Sequence, residues 1–197
     1  MLHGIDISHH NTIKDPNKLF NAQDFIFMKA TEGITFVDKK KDLYCETIDQ
    51  LAPQVIKGFY HFARPEKGNA PEVEAQHFLN NIRKYKNNTL LALDVEAEAL
   101  TFKNLDQWVE RWCSYIIVNT GRAPLIYCSA AECKRFKGAA ALGCGLWVAK
   151  WSDKKPTKTM IKPWDFFAFW QYDANGGLDK NYFNGSVEAL KKYAGVI

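Results

Sequence analysis

The 197-residue sequence has no apolar run approaching the length of a membrane span, and its start, Met1-Leu2-His3-Gly4-Ile5-Asp6, lacks the charged segment and apolar core of a secretory leader. The expectation is a chain made in the cytoplasm, which needs some other route to act outside it. Cysteine is sparse: Cys45, Cys113, Cys128, Cys133 and Cys144 are odd in number, with no CxxC pair and no zinc-like spacing to histidine, which argues against a disulfide framework. Neither a GxGxxG turn nor a Walker A loop follows any early apolar segment, removing the main reason to expect nucleotide binding. The histidines form no HExxH array, so neither metal nor cofactor is expected, and the adjacent His9-His10 pair reads first as loop surface. A net charge of +4 is spread along the chain in short clusters such as Lys39-Lys40-Lys41 and Lys154-Lys155, which read as solvated surface and give no reason to expect nucleic acid. Linkers, repeats and low-complexity tracts are also missing, and one domain over 1–197 is the simplest organisation.

What is present is a strong apolar core signal: 47% of residues are hydrophobic, enough at this length to bury a large interior. Its most informative stretch is Leu90-Leu91-Ala92-Leu93-Asp94-Val95-Glu96, an apolar strand ending in two carboxylates two residues apart. In a strand that spacing puts both acids on one face, and a like-charge neighbour is a standard way to keep one carboxyl protonated near neutral pH.

Further strands are expected at Ile5–Ser8, Phe25–Lys29, Val55–Phe62 and Leu125–Cys128, each rich in β-branched or aromatic residues. Helical spacing intervenes at Asp38–Leu51, Pro71–Tyr85 and Leu105–Thr120, the last followed by Gly121 as a C-terminal cap, while Trp108 and Trp112 fall on one helical face as core. Strand then helix, repeated five times, predicts parallel strands. After Cys128 the rhythm changes: Leu146–Lys150 and Phe166–Tyr172 read as strands without a convincing helix between them. The predicted fold is an α/β closed barrel of five β/α units finished by a few strands, with an open doubly wound sheet as the alternative.

In such a barrel the polar residues that end apolar strands gather at the carboxyl face. Asp6 and Ser8, Lys29 with Glu32, Tyr60 and His61, Asp94 and Glu96, then Tyr127, Trp147, Lys150, Trp151, Gln171, Tyr172 and Asp179 occupy such positions. Acids between aromatic walls suit a sugar polymer, whose pyranose faces stack on rings while its hydroxyls bond carboxylates and amides. Glycosidic cleavage needs one carboxyl to protonate the leaving oxygen, for which Glu96 is the candidate and Asp94 its tuning neighbour. Asp6 alone would read as a turn cap, but in the company of Asp94 and Glu96 it reads as a site acid; Asp179 competes with nearby Asp173 for a site role, and His61 reads either as a substrate contact or as a satisfied histidine beneath the site.

Five ordered motifs resemble those of glycoside hydrolase family 25, the Chalaropsis-type N-acetylmuramidases: Gly4-Ile5-Asp6-Ile7-Ser8-His9, Phe27-Met28-Lys29-Ala30-Thr31-Glu32-Gly33, Gly58-Phe59-Tyr60-His61-Phe62, Leu93-Asp94-Val95-Glu96 and Phe169-Trp170-Gln171-Tyr172, with Asp179 following. The resemblance implies an irregular TIM-like (β/α)5(β)3 barrel and hydrolysis of the β-1,4 bond between N-acetylmuramic acid and N-acetylglucosamine in peptidoglycan. It implies Glu96 as general acid/base, Asp94 as the carboxylate beside it, and Asp6 and Asp179 as the other two acids. Lys29, Tyr60, His61, Tyr127, Trp147, Gln171 and Tyr172 are implied to line the substrate groove. One departure stands out: His10 occupies a position where this family often carries Trp.

A retaining, substrate-assisted route through the muramic acid acetamido group is the expectation, with an inverting route as its competitor. The partners expected are peptidoglycan strands, and an immunity protein if the chain is a delivered toxin; the chain is expected to be a monomer. Without a leader, it would reach the wall by holin-type release or by a secretion machine. Two other functions compete: a peptidoglycan-binding module without turnover, disfavoured by the intact acids, and a chitinase-like hydrolase, disfavoured because Asp94-x-Glu96 is not the DxxDxDxE run expected there.

Overall fold

In a computed structural model covering residues 2–174 and 177–196, the chain folds as a closed barrel with helices packed outside it. The first half alternates β1 (Leu2–Ile7), α1 (Pro16–Asn21), β2 (Phe25–Glu32), the two-residue β3 (Phe36–Val37), α2 (Lys41–Leu51), β4 (Ile56–Phe62) and α3 (Pro71–Asn81). Next come β5 (Leu90–Asp94), α4 (Leu105–Thr120), β6 (Leu125–Ser129), the short α5 (Lys137–Ala141), β7 (Gly145–Ala149), β8 (Phe169–Asp173), β9 (Asp179–Phe183) and α6 (Val187–Ala194).

Eight strands close the barrel in the order β1-β2-β4-β5-β6-β7-β8-β9, with β3 a short hairpin partner of β2. Pairing of β1 with β9 on one side and with β2 on the other closes the sheet and rules out the open alternative. Five β/α units followed by three strands match the expected barrel. The strand that sequence patterning did not reveal is β9, which runs antiparallel to both β8 and β1. Its start therefore lies at the same end of the barrel as the finishes of its neighbours.

Strand alternation divides the apolar residues into two layers. Phe25, Phe27, Leu90, Leu125, Trp147, Phe169 and Phe183 fill the barrel interior. Ile26, Met28, Phe59, Leu91, Leu93, Ile126, Leu146 and Val148 point outward beneath the helices. Phe27 stacks on Trp147 at 4.2 Å between ring centroids, and each such buried aromatic contributes about 1.5–3 kcal/mol. Gly4 and Gly58 make room for them: a Cβ at either position would sit 2.4 Å from the ring of Phe25 or Phe27.

Helix boundaries follow local chemistry. Helix α1, absent from the periodicity reading because it is short, is capped by the Asp15 side chain with Pro16 at its first turn. Helix α2 starts three residues later than the spacing suggests, because Asp38 stays outside it, accepting from the backbone N–H groups of His9 and Lys40. Helix α3 stops at Asn81 rather than Tyr85, and α4 ends at Gly121, whose φ of +70° suits a left-handed cap. No helix among the described residues is long and apolar enough to cross a membrane.

Candidate active site

At the carboxyl end of the parallel strands a cleft of about 240 Å³ opens over the aromatic interior. All four predicted acids line it: Asp6 from β1, Asp94 and Glu96 from the end of β5, and Asp179 from the start of β9. Lys29, Tyr60, Tyr127, Trp147 and Gln171 line it as well. Register brings these residues to one level, since Asp94 pairs with Tyr127, Tyr127 with Trp147, and Asp6 with Asp179.

The floor is a directed hydrogen-bond chain. Trp147 Nε1 donates to Asn181 Oδ1 at 2.8 Å, and Asn181 Nδ2 donates to Asp6 Oδ2 at 2.7 Å. From the other side Tyr127 Oη and Trp151 Nε1 each donate to Gln171 Oε1 at 2.9 Å, and Gln171 Nε2 donates to the same Asp6 oxygen at 3.0 Å. Each amide is thereby held with its oxygen toward the donors and its nitrogen toward the carboxyl. Asp6 also shares a hydrogen bond with Asp179.

Four acids in one partly dry cleft cannot all ionise freely. Burial first, and then the charge of Asp179, push Asp6 up to about 7 against the lowering effect of its two amide donors. Asp94 is pushed well above the carboxylate range, mainly by burial and next by Glu96. Burial also raises Glu96, with the Lys29 cation pulling it back and Asp179 adding to the rise. Burial raises Asp179 too. Asp94 Oδ1 is shielded from solvent and accepts no hydrogen bond from the described residues. The site therefore holds carboxyl groups of raised proton affinity, Asp6 up to about 7, beside a carboxyl oxygen that no described residue donates to, an arrangement suited to general acid/base work on a ligand with an N–H or O–H to give.

The cation in this cleft is anchored. Lys29 Nζ lies 2.7 Å from Glu32 Oε2 and 4.5 Å above the Phe62 ring, while Arg64 bonds the other Glu32 oxygen at 2.6 Å. Among the described residues no group of three or more His, Cys, Asp or Glu is arranged to hold a metal ion.

Two predicted groove residues lie elsewhere. His61 follows Tyr60 on β4 and so points to the barrel exterior, where it is fully buried. Its Nε2 donates to Glu74 at 2.8 Å and its Nδ1 accepts from Thr31 Oγ1 at 2.7 Å, so it is a satisfied core histidine that burial keeps neutral. Tyr172 likewise points outward from β8, the inward neighbour being Gln171; it stacks on Tyr182 at 4.3 Å in a separate cleft.

Residues outside the predicted site residues also belong here. Asn181 anchors Asp6, and its signal was the alternation Asp179-x-Asn181 once β9 is known to be a strand. His10 and Phe62 line the rim, together with Ser8, which the sequence already places at this strand end. His10 packs on His9 at 3.9 Å between ring centroids, and His9 Nδ1 is bonded to buried Asp38 at 2.8 Å. All five cysteines are buried free thiols outside the cleft lining, with Cys128 and Cys133 Sγ atoms 3.7 Å apart.

Comparison with known proteins gives a consistent result. The family model described as Glycosyl hydrolases family 25 matches residues 5–180. Lysozyme M1 of Streptomyces globisporus is 28% identical over 208 residues, covering 95% of this chain and 69% of that protein. The solved muramidase from Acremonium alcalophilum superposes with a TM-score of 0.85 at 28% identity, with 100% of both chains covered. A family 25 lysozyme from Aspergillus fumigatus gives 0.82 at 28% identity over 98% of each chain.

Proposed function

The chain belongs to glycosyl hydrolases family 25, and from that premise we propose how its cleft cuts peptidoglycan. It is a glycosidase of the lysozyme class, a peptidoglycan hydrolase. The bond is the β-1,4 link from N-acetylmuramic acid to N-acetylglucosamine. Glu96 donates its proton to the departing oxygen. The acetamido oxygen of the same muramic acid attacks the anomeric carbon, giving an oxazolinium ion held by the protein. Glu96, now ionised, takes a proton from water as that water opens the ring with net retention, which returns the site to its starting charge.

The observation that carries this reading is the Asp94 carboxyl, which lines the cleft beside Glu96 and whose buried Oδ1 accepts no hydrogen bond from the described residues. An orphaned acceptor costs about 1–3 kcal/mol, and the acetamido N–H of a bound sugar satisfies it while aligning the acetamido oxygen for attack. Asp6 and Asp179 supply negative potential around the developing cation, and Lys29 tempers the charge on Glu96. As for biological role, the reading is wall lysis after holin-type release or secretion-system delivery, with an immunity partner if the chain is a toxin.

Digestion of purified peptidoglycan, borohydride reduction and mass spectrometry test the reading. Wild type is expected to leave reduced muramic acid ends, and Glu96→Gln to leave them at a rate lower by about 10²–10⁴, the range lost with a general acid. Reduced glucosamine ends would overturn the assigned bond. Unchanged turnover in the variant would overturn the role of Glu96.

A further inference from the structure

A second cleft lies beside the first, around the outer wall of β8 and β9, two strands with no helix between them. Trp151, Trp170, Tyr172 and Tyr182 form its apolar surface, and Asp153 and Lys155 stand at its edge. Some of these rings have an ordinary structural task. Trp170 is 2% exposed, packs near Phe167 and donates its indole N–H to Lys150 O, and so covers the strand in place of a helix. Trp151 is different: it is 65% exposed.

Large exposed rings are normally free to move, yet Trp151 is held on three sides. The backbone ladder continues past the end of β7, with Lys150 N–H donating to Gln171 O and Ser152 N–H to Tyr172 O, one bond on each side of Trp151. Its side chain is then fixed by the bond from Nε1 to Gln171 Oε1. That oxygen also accepts from Tyr127, and the same amide holds Asp6, so the exposed ring is joined through one residue to the floor of the catalytic cleft. A rigid exposed indole with polar groups at its edge is the chemistry that grips the apolar face of a pyranose.

We propose that the Trp151 cleft is a second carbohydrate subsite, binding a sugar of the same glycan strand beyond those held over the four acids. The inference rests on the peptidoglycan reading above and adds a length preference to it: short fragments fill only the acid-lined cleft, whereas long strands also reach Trp151.

The test uses the full chain carrying Glu96→Gln, so that ligand survives, and measures affinity for a peptidoglycan tetrasaccharide and for long glycan strands stripped of stem peptides by amidase. Long strands are expected to bind about five- to tenfold more tightly per site, the gain of a sugar–ring contact. Trp151→Phe, which keeps a ring but loses the N–H donor to Gln171, is the reference for the floor bond: it is expected to keep most of the gain, whereas Trp151→Ala is expected to bring long-strand and tetrasaccharide affinities to the same value. Absence of any length preference in the parent overturns the proposal. So does an equal loss on both ligands in Trp151→Ala, which would make Trp151 a support for Gln171. Failure of the wild type to cleave peptidoglycan strikes the catalytic reading instead, since the binding comparison does not depend on turnover.

Discussion

Asp6 and Asp179 are register partners across the antiparallel β1–β9 ladder, which brings two hydrogen-bonded carboxyls together from opposite ends of the chain. The charge of Asp179 is, after burial, the strongest influence holding Asp6 in its protonated form. Replacing it changes the titration of its partner in a direction that geometry dictates. In Asp179→Asn, Asp6 is expected to titrate clearly below 7, followed by carboxyl-carbon NMR. An unmoved Asp6 resonance would mean that burial alone sets its proton affinity.

The same raised affinity bears on stability. A carboxyl at about 7 in the folded chain and near its ordinary value when unfolded binds its proton more tightly in the fold. Its stabilising contribution is full below the unfolded value and is lost as pH climbs through 7, leaving a penalty of up to about 4 kcal/mol at pH 8. Asp6→Asn is therefore expected to stabilise the fold at pH 8 by about 1–3 kcal/mol, and by far less at pH 4. Urea unfolding at the two pH values reads this directly; equal effects at both would refute it.

Lys29 acts on Glu96 without bonding it. With Lys29→Met the cation is gone, the Glu96 carboxyl keeps its proton to higher pH, and the alkaline limb of kcat/KM is expected to move up. An alkaline limb that stays in place, or falls, would separate Lys29 from the acid step.

His61 predicts a loss of stability rather than of chemistry. Glu74 accepts from His61, from the Arg64 backbone and from Asn69, all beneath the β4 wall. Truncating Glu74 to Ala orphans three donors at once and is expected to cost about 3–5 kcal/mol of unfolding free energy. A loss under about 1 kcal/mol in chemical denaturation would mean that neighbouring groups rebond.

Sequence patterning revealed the barrel where strand and helix alternate plainly, and the acids where apolar strands stop, as at Leu93-Asp94. It faltered where periodicity is short or its phase is hidden. Strand β4 reads Ile-Lys-Gly-Phe-Tyr-His-Phe, and with Gly58 and Tyr60 facing inward no alternation of apolar and polar residues marks the sides. Yet adjacent strand residues cannot share a face, so Tyr60 and His61 were mutually exclusive groove residues, as were Gln171 and Tyr172. Strand β9 was missed because Asp-Lys-Asn-Tyr-Phe turns its polar residues into the barrel, where the site needs them.

The antiparallel seam has a consequence for how activity appears during folding. Gln171 and Asn181 reach Asp6 across 165 and 175 residues of chain, among the most distant pairings the molecule makes. Loops of that span close late, because their entropy must be met before the contacts form. A refolding chain with its first five β/α units in place still has an unsupported Asp6 and no opposing acid. Lysis during refolding is thus expected to lag behind the recovery of helical signal and to rise with the docking of the final strand, so that turnover counts only fully closed molecules.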